Sequence, residues 1–289
     1  MNNSIPKNDT IIVGDVLEIL RSFPENYFNL TVTSPPYNKR NNSHGWLVKN
    51  KKYSDYDDHM PEEKYQHWQL EVMNELFRIT KPGGSLFYNH KHRWVDGALI
   101  TPFEWISKSN WHVKQEIVWD RGFAANMRGW RYWQVDERIY WLHKPIDNYL
   151  IGTELESRHA KFSSVWRIKP EPRTNAHPAP FPIELPTRII FSILNSNPGI
   201  VLDPYCGTGT TLVAAKILGH QYIGIDISPE YSEYANNRLL EFENEKTRVE
   251  EEKAKHVIDD SFVDRKKRGT VSWPYGPKPK NELPETKPK

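Results

Sequence analysis

Strands alternating with helices predict an α/β protein built on a mainly parallel, doubly wound sheet. Three observations carry that expectation. Short β-branched runs recur near residues 10–13, 30–33, 200–203 and 221–226, with apolar residues at helical spacing in the segments between. One of these strands runs into Thr33-Ser34-Pro35-Pro36-Tyr37-Asn38. Another, Val201-Leu202-Asp203, runs into a glycine loop and then a helix.

The 289 residues can hold one α/β domain with a substantial insertion, or two small domains. Hydrophobic residues make up 37% and mean hydropathy is −0.74, which describes a soluble protein with a large polar surface. No apolar run approaches the roughly 20 residues needed to span a bilayer. Residues 1–9 are polar and carry no signal-peptide core, so the cytosol is the expected location. Cys206 is the only cysteine, which excludes an internal disulfide and a multi-cysteine zinc site. A net charge of +2 points to no class of partner, so any basic surface must be local.

In chain order, residues 10–13 form a strand that ends at Gly14-Asp15, and residues 16–21 a brief helix with Asp15 as its N-cap. Residues 30–33 are the next strand. Residues 38–60 are polar, interleaved with Trp46, Tyr53 and Tyr56, and read as a lid or binding loop. Pro61-Glu62-Glu63 opens a helix whose apolar positions Trp68, Val72, Leu76 and Ile79 keep helical spacing, and Lys81-Pro82-Gly83-Gly84 ends it. Residues 85–88 are a strand, about 97–110 a helix, and 115–119 and 138–142 two further strands. Residues 144–180 are irregular and Pro-rich. Beyond them come a helix at 183–194, the strand at 200–203, a helix at 210–218, the strand at 221–226 and a long charged helix from 230 to about 255. From Arg265 onward the chain is basic and Pro-rich without apolar periodicity, which reads as a mobile tail.

Two consecutive prolines remove two backbone N–H donors and hold the chain extended, so the strand must stop at Thr33. The turn beyond it presents a small polar side chain, two carbonyls without intrachain donors and one aromatic ring. That set suits a flat group carrying an amino function; an ordinary strand-ending turn is the competing reading. In Asp203-Pro204-Tyr205-Cys206-Gly207-Thr208-Gly209-Thr210-Thr211 the glycines let the backbone approach a ligand, and the helix N-terminus offers N–H groups to an anion. Asp226 closes the next strand with a carboxylate where a ribose hydroxyl pair would be held. No Lys follows Gly209, which removes a P-loop, and Leu212 stands where a dinucleotide site has a third Gly or Ala. S-adenosylmethionine (AdoMet) fits best. It has a carboxylate for the helix N-terminus, an ammonium for Asp203 at the loop mouth, and a ribose for Asp226. A nicotinamide or flavin site and a purely structural turn stay open on this motif alone.

Together these two stretches closely resemble those of the AdoMet-dependent DNA amino-methyltransferases, and their order resembles the circularly permuted β class. Gly14-Asp15 is similar to the acidic motif at the cofactor's adenine end, and Lys81-Pro82-Gly83-Gly84-Ser85-Leu86-Phe87 to the strand after the catalytic one. His177-Pro178-x-x-Phe181-Pro182 resembles the segment ahead of the AdoMet loop, with Phe181 where the family often has Lys. The resemblance covers residues 10 to about 240. It implies a Rossmann-like AdoMet-dependent methyltransferase fold: a mostly parallel seven-stranded sheet, circularly permuted, with an inserted target-recognition region. It implies S-adenosyl-L-methionine as cofactor, held by Asp15, Phe181, Asp203, Tyr205, Gly207, Gly209, Thr210, Thr211 and Asp226, and Ser34, Pro35, Pro36 and Tyr37 as catalytic residues.

An exocyclic amino nitrogen is a poor nucleophile because its lone pair is delocalised into the ring. Hydrogen bonds from its two hydrogens to Ser34 Oγ and the Pro35 carbonyl would localise that pair and aim it in line with the departing sulfur. Tyr37 would stack on a base flipped from the duplex, and Pro36 would keep this edge rigid. Cys206 lies in the glycine loop rather than in a Pro-Cys pair, which excludes cytosine-C5 chemistry. In the family Ser-Pro-Pro-Tyr accompanies cytosine-N4 enzymes more often, so cytosine N4 is the expected target. Adenine N6 is the runner-up, and an RNA or protein amide methyltransferase a remoter reading.

A base-specific enzyme needs a groove reader and phosphate clamps. Arg121, Arg128 and Arg131, among Trp130, Tyr132 and Trp133, and Arg167 and Arg173 around Trp166, stand where the β class keeps its target-recognition segment. With Lys39 and Arg40 they are the expected DNA-binding residues; the competing reading makes Trp130, Trp133 and Trp166 the core of a small subdomain. The mechanism requires no metal, and none is expected at His44, His59, His67, His90 or His92. The expected organisation is a catalytic half at 1–120, a target-recognition insert at 121–175, an AdoMet half at 176–255 and a tail at 256–289. Expected partners are double-stranded DNA and a possible cognate restriction endonuclease, with no membrane, in a monomer or homodimer in the cytoplasm of a prokaryote or phage host.

Overall fold

The computed structural model describes residues 7–38, 60–124, 129–146, 162–171, 181–257 and 262–269. Its strands are β1 (Thr10–Val13), β2 (Phe28–Thr33), β3 (Thr80–His90), β4 (Arg93–Val95), β5 (Ala98–Ile100), β6 (His112–Asp120), β7 (Asp136–His143), β8 (Val165–Arg167), β9 (Ile200–Asp203) and β10 (Gln221–Asp226). One sheet runs β1-β10-β9-β2-β3-β7-β6-β8, and β4 pairs with β5 separately. The first five strands in that order are parallel. β7 is antiparallel to both β3 and β6. The seven expected strands are present, and β8, a three-residue edge strand parallel to β6, extends them.

Helices cover both faces, so β2 and β9 are buried on both sides. On one face α1 (Val16–Ser22), α2 (Glu62–Ile79) and α3 (Phe103–Ile106) pack Leu20, Tyr65, Val72, Leu76 and Trp105 against Leu86, Tyr88, Tyr140 and Ile223. On the other, α4 (Glu184–Ile193), α5 (Thr210–Ile217), α6 (Pro229–Leu240) and α7 (Glu243–His256) pack Ile189, Ile190, Val213, Leu239 and Val249 against Val32, Phe87, Ile139 and Val201. Leu86, Phe87 and Tyr88 alternate between the two faces, as the pleat requires. A short α8 (Phe262–Lys267) follows. No helix among the described residues is long and apolar enough to cross a membrane.

Four expectations change. The helix anticipated at 97–110 is instead the β4–β5 hairpin followed by the one-turn α3. Asp96 and Gly97 both take positive φ, 50° and 81°, which is the chemistry of a two-residue hairpin turn. Lys81-Pro82-Gly83-Gly84 does not merely end α2; it is already part of β3, where Gly83 N–H donates to the Lys144 carbonyl and Lys144 N–H to that of Gly84. The charged helix from 230 to 255 breaks at Glu241-Phe242, where Phe242 turns inward against the core beneath Lys216. The break is bridged by Arg238, bidentate to Glu245. Finally, β8 forms inside the stretch read as irregular.

The register Leu30↔Val201 and Thr31↔Leu202 sets the carboxyl ends of β2 and β9 side by side. The connections leave them toward opposite faces, α2 after β2 and α5 after β9. This is a topological switch point, the usual location of a crevice in open α/β sheets.

Helix α7 is fastened to α4 by ions. The buried Glu252 accepts from Arg188 Nε at 2.8 Å and from His256 and Lys255. Burial alone would raise its carboxyl, but the His256 hydrogen bond and the Arg188 charge outweigh that and hold it at about 2. A carboxyl lowered on folding stabilises the protein above its unfolded value, and that contribution is lost as pH falls from about 4.5 toward about 2. Glu252→Gln should therefore cost about 3 kcal/mol at pH 7, where it leaves Arg188 buried without its counter-charge. Urea unfolding at pH 7 and pH 3 checks this, the gap between wild type and variant narrowing at the lower pH.

Candidate active site

At the switch point, β2 delivers Thr33 and the Ser-Pro-Pro-Tyr turn, while β9 delivers Asp203 and the glycine loop. The two are joined directly. Asp203 is fully buried, and its Oδ1 accepts from Thr33 Oγ at 3.0 Å and from Tyr205 N–H at 3.2 Å. Its Oδ2 accepts from Thr211 Oγ at 2.7 Å. The expectation that Asp203 stands at the loop mouth is thereby corrected. Its oxygens are turned into the protein, because each is needed to fix the loop's neighbours. Thr210 and Thr211 are likewise buried with committed hydroxyls, Thr210 accepting from Arg238 at 3.1 Å.

Around that strut the loop closes tightly. Gly209 has φ 80°, and a Cβ there would stand 2.8 Å from that of Ala235, so only glycine fits. No side chain caps α5 at Gly209. Gly207 N–H donates to Asp226 Oδ2 at 2.7 Å, and Ser228 N–H to its Oδ1 at 2.9 Å, which holds a half-buried carboxylate at the edge of the loop. Gly14 N–H donates to the Asp226 carbonyl, so Asp15 lies beside this edge; its own carboxylate caps α1 through Leu17 and Glu18 N–H. Tyr205 packs edge-on against Trp68 at 5.9 Å, and the partly buried Phe181 packs against the core on the α4–α7 face. Cys206 is buried, which pushes its thiol up and keeps it neutral.

The other half of the site is a hydrogen-bonded chain. Ser34 Oγ is 2.6 Å from Tyr37 Oη, and Tyr37 donates to Glu137 Oε2 at 2.9 Å. Asn89 Nδ2 reaches Tyr37 Oη at 2.8 Å, Glu137 Oε2 at 3.0 Å and Ser34 Oγ at 3.3 Å. Glu137 Oε1 accepts from Arg121 at 3.1 Å. Tyr37, Asn89 and Glu137 are buried and Ser34 is half-buried. Tyr37 lies against His90, ring centroids 4.6 Å apart. The Pro36 carbonyl is not left open as expected, since Tyr65 from α2 donates to it at 2.6 Å. No hydrogen bond among the described residues engages the Pro35 carbonyl. Asn38 and Met60 exchange two hydrogen bonds and pin together the ends of the segment between them.

The expected DNA-binding residues separate. Arg121 is corrected: its side chain is 10% exposed and spent on Glu137 and the Gln134 carbonyl, so it is a buried counter-ion. Arg131 lies over the Trp94 ring at 3.8 Å, with Trp130 beside it. Arg167 is 83% exposed, with a long 3.5 Å pairing to Asp120. Trp166 is core, whereas Trp130, Tyr132 and Trp133 are exposed. Lys39, Arg40, Arg128 and Arg173, with His177-Pro178 and the tail from 270, lie outside the described residues. Asn89, His90, Tyr65 and Glu137 were missed. Asn89 and His90 end a parallel strand next to β2, a position that could have flagged them; Glu137 opens an antiparallel strand and gave no such signal.

Burial lifts the Asp203 carboxyl from 3.8 to about 6 against the pull of its three hydrogen bonds. A carboxyl raised on folding stabilises the protein below its unfolded value, and that contribution is lost as pH rises through about 6. The protein without ligand should therefore lose about 2 kcal/mol between pH 4.5 and pH 7.5 from this group. Asp203→Asn, isosteric and neutral, should remove that part of the slope, which thermal melts of both proteins across the range will show.

A family model described as DNA methylase (N6_N4_Mtase) matches residues 28–237. The chain is 27% identical over 255 residues to the type II methyltransferase M.ScaI of Streptomyces caespitosus, covering 78% of this chain and 79% of that one. It is 28% identical over 268 residues to M.BglII of Bacillus subtilis, covering 81% and 70%. Among solved structures it is similar to the cytosine-N4-specific PvuII DNA methyltransferase, with a TM-score of 0.64, 20% identity, and 84% and 93% of the two chains covered. The DNA modification methylase TTHA0409 from Thermus thermophilus, solved complexed with S-adenosyl-L-methionine, gives 0.56 at 26% identity, covering 81% and 95%. With the family model spanning most of the sheet and both motifs, the chain belongs to the DNA methylases of the N6/N4 amino-methyltransferase type.

Proposed function

We propose that this protein is a site-specific DNA methyltransferase acting on the exocyclic N4 of cytosine in duplex DNA, with S-adenosyl-L-methionine as methyl donor. The observation that carries the reading is the Thr33–Asp203 hydrogen bond, which locks the Ser-Pro-Pro-Tyr turn beside the glycine loop. AdoMet supplies an electrophilic methyl group on a sulfonium. The loop fits such a ligand. The uncapped N-terminus of α5 suits its carboxylate, Asp226 at the loop edge suits ribose hydroxyls, and Asp15 borders the adenine side. Asp203, Thr210 and Thr211 serve by holding the loop rather than by touching the ligand through their side chains.

On the substrate side, Ser34 Oγ and the Pro35 carbonyl are the two acceptors for the hydrogens of an amino group. Tyr37 offers its ring to a base that must leave the duplex to reach them. Arg167 and Arg131 with the exposed Trp130, Tyr132 and Trp133 form the surface that meets DNA, within the proposed target-recognition insert at 121–175. Ser at the first motif position favours cytosine; adenine N6 is the second reading, since the same two acceptors would hold its amino group. A cognate restriction endonuclease belongs to this proposal as the activity the modification guards against.

Incubation with tritiated AdoMet and duplex DNA, followed by mass spectrometry of released nucleosides, should yield N4-methylcytosine. N6-methyladenine would move the target to adenine, and label in RNA or protein but not DNA would overturn the proposal. Arg167→Ala should weaken binding evenly across DNA sequences and reduce the slope of log K against log salt by about 1, as measured by fluorescence anisotropy.

A further inference from the structure

Glu137 takes no direct part in the proposed transfer, yet it sits buried at the far end of the chain that begins at Ser34. Its contacts fix a direction. A carboxylate paired with Arg121 can only accept. Tyr37 has a single hydroxyl proton and spends it on Glu137 Oε2. Asn89 presents Nδ2, a donor, to the same Tyr37 oxygen; the reverse amide orientation would set its Oδ1 against the Glu137 carboxylate. The 2.6 Å contact between Ser34 and Tyr37 then has only one assignment, with Ser34 donating. Ser34 Oγ, which also lies 3.3 Å from Asn89 Nδ2, is left with one lone pair outward and no hydrogen to offer.

We infer that Glu137, held by Arg121 and acting through Tyr37, is a positioning residue that fixes Ser34 as an obligate hydrogen-bond acceptor, and so selects an amino group over a carbonyl or ring nitrogen at the target position. The inference rests on the proposed amino-methyltransferase reading and deepens it. The two acceptors facing the base would be the Pro35 carbonyl, which cannot donate, and Ser34, which is prevented from donating. A serine free to rotate would turn its hydrogen outward part of the time and engage a base acceptor instead. The ion pair at the end of the chain removes that freedom without touching the base.

The test uses an Asn89→Ala background, because Asn89 could otherwise turn its amide and offer Oδ1 to Tyr37 in place of the lost carboxylate. In that background Glu137→Gln leaves an oxygen for Arg121 and a donor facing Tyr37. The tyrosine proton is driven onto Ser34, and the serine hydrogen outward against the amino group. Single-turnover methyl transfer to duplex DNA should slow about a hundredfold, with AdoMet affinity in calorimetry and the melting curve showing a folded protein. Adding Tyr37→Phe should then recover about tenfold, because no proton remains to push onto Ser34. A merely structural role predicts the opposite, a further loss. If Glu137→Gln does not fold, Arg121→Met with Glu137→Leu removes the acceptor without stranding a buried charge, and the same recovery by Tyr37→Phe is expected. An unchanged rate for Glu137→Gln, or no recovery on adding Tyr37→Phe, overturns the inference while the parent enzyme still methylates DNA. A parent enzyme that deposits no methyl group on a DNA amino nitrogen overturns the functional reading itself.

Discussion

The carboxylate of Asp203 is the constraint on which the site depends. It lies at the carboxyl end of strand β9, fully out of water, and joins the loop and helix that follow it to a strand far away along the chain. Thr33 belongs to β2, some 170 residues earlier. Tyr205 starts the glycine loop, and Thr211 lies in the first turn of α5. A circularly permuted sheet needs such a fastening, because no short connection holds the Ser-Pro-Pro-Tyr turn to the glycine loop. Parallel pairing of β2 and β9 aligns their backbones, and one side chain then fixes how their loops face each other.

Beyond that strut the two sides of the crevice are built differently. The loop side is held by backbone: Gly207 and Ser228 N–H on Asp226, Gly14 N–H on the Asp226 carbonyl, and the close approach of Gly209 to α6. The side of the Ser-Pro-Pro-Tyr turn is held by side chains from four elements, Tyr65 from α2, Asn89 and His90 from β3, Glu137 from β7, and the turn itself. The antiparallel strand β7 supplies Glu137 because it enters the sheet from the end at which the parallel strands leave. A strand of opposite direction is the only kind whose first residues can line the same crevice.

Both motifs, their order and the parallel sheet were legible in the sequence, because each rests on local chemistry. Two prolines end a strand wherever they fall, and Gly207 and Gly209 mark a tight loop whatever surrounds them. The short elements after β3 were not legible. Trp105 and Ile106 keep an apolar pattern compatible with a longer helix, and only the paired positive φ of Asp96 and Gly97 turns the chain into a hairpin. The division of the arginines was also hidden. Arg121 and Arg131 look alike in a run rich in Arg and Trp, yet one meets a carboxylate sixteen residues on and the other an indole from β4. Those partners are set by sheet register, which composition does not encode. Asp203 was recognised as essential but assigned to the wrong neighbour, since a strand-end acid reads as ligand-facing until the burial of its oxygens is known.

Comparing the two buried carboxylates shows why only one of them imposes a direction. Asp203 is surrounded by two hydroxyls and one backbone N–H. When it takes up a proton, Thr33 or Thr211 can rotate its hydroxyl from donor to acceptor, so every contact survives and the joint is indifferent to polarity. Glu137 has no such latitude. Arg121 can only donate, Asn89 is kept by the carboxylate itself in its donating orientation, and Tyr37 has one proton already committed. Rotation of either hydroxyl in that chain leaves an acceptor facing an acceptor. The fold thus carries one carboxylate that fastens the site whichever way its protons lie, and a second whose fixed partners carry a defined polarity out to Ser34.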